Sequence, residues 1–235
     1  MQVEEDVGAE SATRPSGQRQ IQNEKRVAEI IAASLHVFAE GGRAGFSMRK
    51  VAAVAGVRLN TVQHHFGDLR ALLLAMIRAE LGKYVVRYQA VAHDEQLPAR
   101  DRLEAVLDDA FAAIREPEVC AFFFETWALA QDDSAVGELV TKIYTDYCDT
   151  YALLARGIEP SLSGSEAAVI GRMIGSMADG FLVVSRFGMP ESPPFSAVAV
   201  RVKAACLSLF GAAGRTTNEA SNVATPPKGV RRARS

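Results

Sequence analysis

The polar side chains between Arg58 and His65 are of the types that bind nucleic acid. Asn60 and Gln63 carry amides that pair well with adenine edges, and Arg58 suits phosphate or the edge of guanine. Thr61 and His64 add further hydrogen-bonding groups. On one short helix, these residues would present a face suited to the major groove of DNA.

The chain holds few other residues arranged for chemistry. It has no HExxH, CxxC or GxSxG motif and no glycine loop that would cradle a phosphate. Two of the four histidines, His64 and His65, are neighbours, and neighbours on a helix point about 100° apart, which is unsuited to a shared metal. We therefore expect no catalysis, no cofactor and no metal.

A helix-turn-helix would position the polar face. Residues 47–66 predict two short helices around Gly56-Val57, with Ser47 as the N-cap of the first helix. The apolar residues that would pack the two helices together are Val51, Ala52, Ala55, Val57, Val62 and Phe66. From this pair alone, a purely structural helical hairpin is an equally good interpretation.

The charges are segregated along the chain. The 235 residues include 26 Lys and Arg against 28 Asp and Glu, a net charge of −2. Residues 1–13 carry −4, residues 14–80 carry +5, residues 81–214 carry −7 and residues 215–235 carry +4. A basic segment beside a larger acidic one indicates an anionic partner for that segment alone.

Apolar periodicity predicts an all-α chain of about nine helices. The expected helices cover residues 20–41, 47–55, 59–65, 68–93, 98–115, 117–130, 134–157, 163–187 and 194–213. The pattern divides the chain into a disordered N-terminal arm (1–19), a helix-turn-helix domain (20–67), a larger helical domain (68–213) and a disordered basic tail (214–235). An acidic N-terminus, three widely spaced cysteines and no apolar run of about 18 residues favour a cytoplasmic protein without a membrane segment.

Residues 24–77 resemble the N-terminal domain of the TetR family of bacterial transcriptional regulators. The resemblance rests on an ordered series of matches: Phe38-Ala39-Glu40-Gly41-Gly42, Phe46-Ser47-Met48-Arg49, Val51-Ala52, Ala55-Gly56-Val57, Thr61-Val62 and His65-Phe66. Two departures are present: Gln63 stands where the family usually has Tyr, and Gly67-Asp68-Leu69-Arg70 lacks the usual Lys. Arg70 is an open candidate to replace that lysine.

The resemblance implies a division of labour at the DNA. Ser47, Thr61 and His65 would contact phosphates, and Arg49 and Arg58 would contact phosphate or guanine. Asn60, Gln63 and His64 would read bases. The N-terminus of the helix that begins after Asp68 would lie close to the DNA backbone.

Two weaker resemblances lie in the larger domain. Residues 122–133 resemble a segment of the family's ligand-binding domains, and residues 177–182 resemble the start of a helix at their dimer interface. Residues that could line an apolar pocket are Phe123, Trp127, Tyr144, Tyr147, Tyr151, Met173 and Met177, although for any single one of them plain core is the favoured interpretation. Asp179 and Glu125 are acids within apolar stretches that could orient a ligand or pair within the fold.

The sequence thus favours a homodimeric repressor that a small apolar or aromatic effector releases from a palindromic operator on double-stranded DNA. Helices 163–187 and 194–213 would form the dimer interface. Three alternatives stay open: a helical carrier protein with a vestigial helix-turn-helix, an activator of the same fold and, least favoured, an enzyme with its site in a helical bundle.

Overall fold

The computed structural model describes residues 14–187 and 193–210 of the chain. Within these ranges the chain forms nine α-helices and no strand, which confirms the predicted all-α fold. The helices are α1 (Arg14–Gly45), α2 (Met48–Val54), α3 (Leu59–Phe66), α4 (Leu69–Ala92), α5 (Ala99–Ala113), α6 (Pro117–Asp132), α7 (Ser134–Ile158), α8 (Gly164–Phe187) and α9 (Phe195–Ser208).

The first helix is longer than predicted at its N-terminal end. α1 begins at Arg14, so the predicted start at residue 20 was wrong, and residues 14–19 of the proposed disordered arm are helical. The predicted break at Gly41-Gly42 is present, because Gly42 has a φ of 54° and a ψ of −164° inside α1. Glycine alone adopts this conformation without strain. Residues 1–13 of the arm lie outside the described residues.

Side chains cap the N-termini of α2 and α4, the helices before and after α3. Ser47 accepts a hydrogen bond from the backbone N–H of Lys50, and Asp68 accepts one from Ala71 at 2.8 Å. Both caps satisfy backbone donors that a helix leaves unpaired in its first turn. The predicted role of Ser47 as an N-cap is confirmed.

The core runs without interruption from the first helices into the larger domain. Phe38 of α1 and Phe122 of α6 are both fully buried, and their ring centroids lie 6.2 Å apart. The same cluster holds Val51 and Val62 of the helix-turn-helix and Met76 of α4. Movement of α4 or α6 therefore acts directly on the packing of α1–α3.

Helices α7 and α8 form the most extensive helix contact in the described chain, and two glycines of α8 face α7. A Cβ at Gly171 would lie 2.4 Å from the backbone oxygen of Cys148, and one at Gly175 would lie 3.2 Å from the Tyr147 ring. The sequence analysis did not single out this pair, which is spaced by four residues on one face of α8. The close approach brings Tyr144 and Tyr147 beside Asp179.

The last two helices correct and extend the predictions. α9 ends at Ser208, five residues before the predicted end at 213, and residues 211–235, including the predicted basic tail, lie outside the described residues. Among residues 14–187 and 193–210, α8 is the one helix long and apolar enough to cross a membrane. Eight of its residues are buried in the fold, so here it is a core helix.

Candidate nucleic-acid interface and ligand cavity

The helix-turn-helix is held by a short turn and a small apolar core. Gly56 lies in the turn with a φ of 64°, which a side chain would resist, and the Val57 N–H donates to the carbonyl of Ala52 at 2.9 Å. Val51 and Val62 are fully buried between the helices. This packing fixes α3 relative to α2 and turns the polar side of α3 outward.

The structure places the predicted DNA-contacting residues on this outer side. Five of them are exposed and three are half-buried, and none of the eight side chains lies in the apolar core. The exposed residues are Arg49, Arg58, Asn60, Gln63 and His64, and the half-buried residues are Ser47, Thr61 and His65. Neither Arg49 nor Arg58 forms an ion pair within the described ranges, so both charges are available to phosphates.

A groove between α1 and α3 adds residues that the sequence analysis did not name. Thr61 and His65 of α3 line it together with Arg19, Lys25 and Arg26 of α1. Arg26 pairs with Glu29 at 2.8 Å, which leaves Arg19 and Lys25 as the additional cations beside α3. The excess of basic residues over 14–80 was the signal that could have identified them.

Arg70 does not stand free as a replacement for the family's lysine. Its Nη2 lies 3.0 Å from Oδ1 of Asp133, which also accepts the N–H groups of Ala135 and Val136 at the start of α7. The hydrogen bond from Arg70 lowers the pKa of Asp133. Arg70 therefore joins the N-terminus of α4 to the N-terminus of α7.

An apolar cavity lies inside the larger domain, between α4, α5, α6, α7 and α8. It contains about 590 Å³ of space not filled by atoms, part of it continuous with solvent. Phe123, Tyr144 and Tyr147, three of the predicted pocket residues, line its wall. The lining residues that the sequence analysis did not name are Leu81, Tyr84, Val85, Tyr88, Ala110, Phe111, Ala113, Ile114, Ile143, Ala178 and Leu182.

The other predicted pocket residues lie elsewhere. Met173 and Met177 lie with Val169 on a different face of α8, where Met173 is 43% exposed, and they do not line this cavity. A helix turns about 100° per residue, and the face that carries Ala178, Asp179 and Leu182 meets the cavity instead. Trp127 does not line the cavity but contacts a residue that does, because its Nε1–H donates a hydrogen bond to the Tyr144 hydroxyl at 3.0 Å.

Asp179 is the charged residue in the cavity lining. Burial raises the pKa of its carboxyl to about 6, while a hydrogen bond from the Tyr144 hydroxyl acts in the opposite direction. Burial also raises the pKa of Tyr84, Tyr88 and Tyr144, so these phenols stay protonated and neutral. Near pH 7.5 the cavity therefore holds one negative charge surrounded by aromatic rings.

Glu125 connects the cavity wall to the end of α1. Its carboxylate accepts a hydrogen bond from the Arg43 N–H at 3.2 Å. A Cβ on Gly42 would lie only 2.6 Å from the same carboxylate, so the close approach depends on the glycine. Phe123, two residues earlier on α6, lines the cavity. Of the two roles that the sequence left open for Glu125, the structure shows pairing within the fold.

Within the described residues, no group of three or more His, Cys, Asp or Glu side chains lies close enough to hold a metal ion. His64 and His65 stack edge to face, with ring centroids 5.4 Å apart, on the outer side of α3. The described residues thus present hydrogen-bonding groups and charges at the surface of α3, and an apolar cavity whose lining includes the Asp179 carboxylate.

Residues 30–76 match the sequence profile described as "Bacterial regulatory proteins, tetR family". The chain is 29% identical over 156 residues to the HTH-type transcriptional regulator BetI of Rhizobium meliloti (strain 1021). That alignment covers 66% of this chain and 74% of BetI. The profile match includes the helix-turn-helix described above.

Solved structures share the fold of about three quarters of this chain. The transcriptional regulator FadR from Bacillus subtilis, in complex with stearoyl-CoA, superposes with a TM-score of 0.62 at 18% identity, over 77% of this chain and 97% of FadR. A protein from Saccharomonospora viridis in complex with choline has a TM-score of 0.63 at 16% identity, over 77% and 95% of the two chains. At these identities the likeness concerns the fold.

Proposed function

Because this chain carries the DNA-binding domain of the tetR family of bacterial regulatory proteins and is a helix-turn-helix transcriptional regulator, we propose that it is a homodimeric repressor released from a palindromic operator by a small molecule. The observation that carries the proposal is the outward-facing polar side of α3. Since DNA is the partner, the proposed place of action is the cytoplasm.

The proposed DNA contact is made by α2, α3 and the first half of α1. Arg49 and Arg58, with Arg19 and Lys25 across the groove, supply positive charge to the phosphate backbone. Asn60, Gln63 and His64 would then reach base edges in the major groove. This assignment follows from their exposure on α3 and from the residue types that each base edge accepts.

A dimer is needed because one short recognition helix reads only a few base pairs. Two copies of α3 about 34–36 Å apart would enter successive major grooves on one side of the DNA. Support for a dimer comes from the apolar side chains that α8 and α9 leave exposed, because contiguous exposed apolar surface marks interfaces. These residues are Val169, Met173, Val183, Val184, Phe187 and Val200.

The proposed effector binds in the cavity of the larger domain and acts through α4 and α6. α4 contributes Tyr84 and Tyr88 to the cavity and begins beside α3, and α6 contributes Phe123 and, through Glu125, holds the end of α1. A ligand that binds one dimer geometry better than another shifts the equilibrium between them, with typical couplings of about 1–3 kcal/mol. Release of DNA follows if the favoured geometry changes the separation of the two α3 helices.

The fold alone does not choose the class of effector. One protein of this fold holds stearoyl-CoA and another holds choline, and these ligands carry opposite charges. The lining of the cavity in this chain must therefore decide, and its walls favour an apolar or aromatic compound. The similar regulators also favour a role in transcription over catalysis.

The experiment that tests this function is fluorescence anisotropy with labelled DNA from upstream of the gene. We expect nanomolar binding by a dimer, with Arg49→Ala weakening specific and non-specific DNA by the same factor. Asn60→Ala should instead reduce the preference at one base pair, which corresponds to about 1–3 kcal/mol. Arg156→Ala, which removes an exposed arginine from the end of α7, is the matched control and should bind like the wild type.

Two results would contradict the proposal. Equal affinity for upstream and unrelated DNA would mean that α3 reads no sequence. A monomer in light scattering at micromolar concentration would remove the palindromic geometry. Loss of sequence preference in Arg49→Ala rather than in Asn60→Ala would reverse the assigned roles.

A further inference from the structure

The cavity contains a charge that the fold does not neutralise. Fifteen residues line the cavity, and apart from tyrosines, which stay neutral, Asp179 is the one among them that can carry a charge. It forms no ion pair within 4.0 Å in the described ranges, and its one side-chain hydrogen bond comes from Tyr144. The nearby acids Glu80 and Asp109, by contrast, are paired with Lys83 and Arg87.

An unpaired carboxylate in an apolar wall is unfavourable for the empty protein. Removing it from water costs free energy unless a counter-charge or several hydrogen bonds compensate. Alanine or asparagine would fit the same place on α8 without this cost. The missing counter-charge is therefore best supplied by a molecule that enters the cavity.

The remaining walls fit the apolar part of such a molecule. Six aromatic side chains line the space, namely Tyr84, Tyr88, Phe111, Phe123, Tyr144 and Tyr147. The negative face of an aromatic ring attracts a cation within about 6 Å of its centre. Tyr84 shows this geometry on its outer side, where Lys83 Nζ lies 5.0 Å and the Arg87 guanidinium 5.1 Å from the ring centroid.

We propose that the effector is an organic cation, an ammonium group carrying an apolar or aromatic body, with its charge beside Asp179 and its body against the tyrosine and phenylalanine rings. The inference rests on the proposed function for its consequence at the DNA, but cation binding itself does not. Lys83 and Arg87 do not oppose it, because Lys83 is paired with the buried carboxylate of Glu80 and Arg87 with Asp109. A carboxylate or phosphate in the same position would face Asp179 directly and is excluded.

The charge of Asp179 is available under ordinary conditions. Although burial raises the pKa of its carboxyl to about 6, the group is ionised near pH 7.5. The groups that face it from α7 are Tyr144, Tyr147, Tyr151 and Cys148, and burial raises the pKa of each, so that all four are neutral at this pH. A ligand in the cavity is therefore adjacent to one negative charge, the carboxylate of Asp179.

The test uses two probes of the same shape, (4-hydroxyphenyl)trimethylammonium and 4-tert-butylphenol, in which carbon replaces the charged nitrogen. Binding to the full-length protein is followed at pH 7.5 by calorimetry and by the fluorescence of its single tryptophan, Trp127, whose ring contacts Tyr144. We expect the wild type to bind the cation at least tenfold more tightly than the neutral phenol. Asp179→Asn should bring this ratio close to one.

Matched variants separate the charge from a general disturbance of the fold. Asp149→Asn removes an exposed acid from α7 and should keep the wild-type ratio, and Asp179→Glu keeps the charge and should keep a preference for the cation. A wild type that binds the phenol as tightly as the cation, or binds neither probe at millimolar concentration, overturns the proposal. So does a tenfold preference that survives in Asp179→Asn.

The operator assay distinguishes failure of this inference from failure of the proposed function. If the cation binds with the expected preference but DNA binding is absent, the regulator hypothesis fails and the ligand class stands. If DNA binds with sequence preference and the cation preference is absent, the ligand class fails and the regulator hypothesis stands.

Discussion

The two candidate sites of this molecule are built in opposite ways. The helix-turn-helix presents the eight predicted DNA-contacting residues, from Ser47 to His65, on its outer side, positioned by a turn at Gly56 and a cap at Ser47. The cavity is internal and takes its fifteen lining residues from five helices spread over about a hundred positions, from Leu81 to Leu182. One site depends on neighbours in sequence, and the other depends on how distant helices pack.

Charge follows the same division. Arg49 and Arg58 remain in water and form no ion pair within the described chain, so their positive charge costs little and is free to meet phosphate. Asp179 lies in an apolar wall, where the same magnitude of charge is expensive. A charged residue at the surface needs no partner because water solvates it. A charged residue in the interior is stable only when a specific partner compensates the loss of water.

The largest expected difference between the two sites is in their response to salt. With about four phosphate contacts per subunit, log K for the operator should fall with log salt with a slope of roughly −7, or about 10⁴-fold between 50 and 200 mM. Binding of the phenolic cation inside the cavity should change less than tenfold over this range. Anisotropy and calorimetry at four salt concentrations measure both, and a flat operator titration would contradict the electrostatic role of α1–α3.

The next effect concerns the helix contact that builds the cavity. Gly171→Ala places a Cβ 2.4 Å from the Cys148 carbonyl oxygen, so α7 and α8 must separate, and we expect the free energy of unfolding to fall by about 3 kcal/mol. Gly180 on the same helix has open space where a Cβ would lie, so Gly180→Ala should raise the free energy of unfolding by about 0.5–1 kcal/mol through the higher helix propensity of alanine. Urea denaturation of both variants measures the contrast. Equal effects would mean that the close α7–α8 approach is not needed.

A smaller effect is expected from removing the cavity's charge in the absence of ligand. Because burial raises the pKa of Asp179 from 3.8 to about 6, the folded state holds its proton more tightly and loses stability as the pH rises from 4 to 6. Asp179→Asn should therefore be more stable than the wild type by about 2 kcal/mol above pH 6, after about 1 kcal/mol is allowed for an unpaired amide N–H. Thermal unfolding between pH 3.5 and 8 checks this, and below pH 4 the order should reverse, with Asp179→Asn less stable than the wild type by about the 1 kcal/mol of the unpaired amide.

The smallest effect separates two roles of Ser47 in the surface site. Ser47→Ala removes the cap of α2 and should lower the free energy of unfolding by about 1 kcal/mol. Ser47→Asp keeps a capping oxygen and should preserve stability, but it places a negative charge beside the phosphate that Ser47 is proposed to contact. Anisotropy should then show weaker operator binding for Ser47→Asp than for Ser47→Ala. The opposite order would exclude a phosphate at this position.

The sequence predicted most of the fold because helix periods and breaks are local signals. Gly42 and Gly56 end or turn helices where predicted, and the Ser47 and Asp68 side chains cap the helices that follow. The errors fell at the start of α1, where Pro15 lies in the first turn, and at the end of α9, which stops three residues before Gly211. Proline in the first turn of a helix and glycine after the last turn are boundary signals that the predicted bounds did not use. The DNA-contact assignments of individual residues stay predictions, although their exposure on one surface agrees with them.

The cavity was predicted less well, because the face of a helix that meets a cavity is set by its neighbours. Tyr144, Tyr147 and Phe123 line the space, but Met173 and Met177 lie on a different face of α8. Periodicity alone marks both faces of α8 as apolar, since one is core and the other is the proposed dimer surface. The rotation of α8 about its axis is fixed by Gly171 and Gly175 against α7.

By itself, the sequence determined the all-α class, the helix-turn-helix and the segregation of charge, because hydrogen bonding within a helix, glycine turns and caps act over a few residues. Only the tertiary structure decided that Arg70 holds Asp133, that Glu125 holds the end of α1 and that Asp179 faces an aromatic cavity. The first two contacts join residues 63 and 82 positions apart in the chain, and the lining of the cavity extends from Leu81 to Leu182. Their contacts depend on the crossing of whole helices, which close packing of side chains and glycines sets.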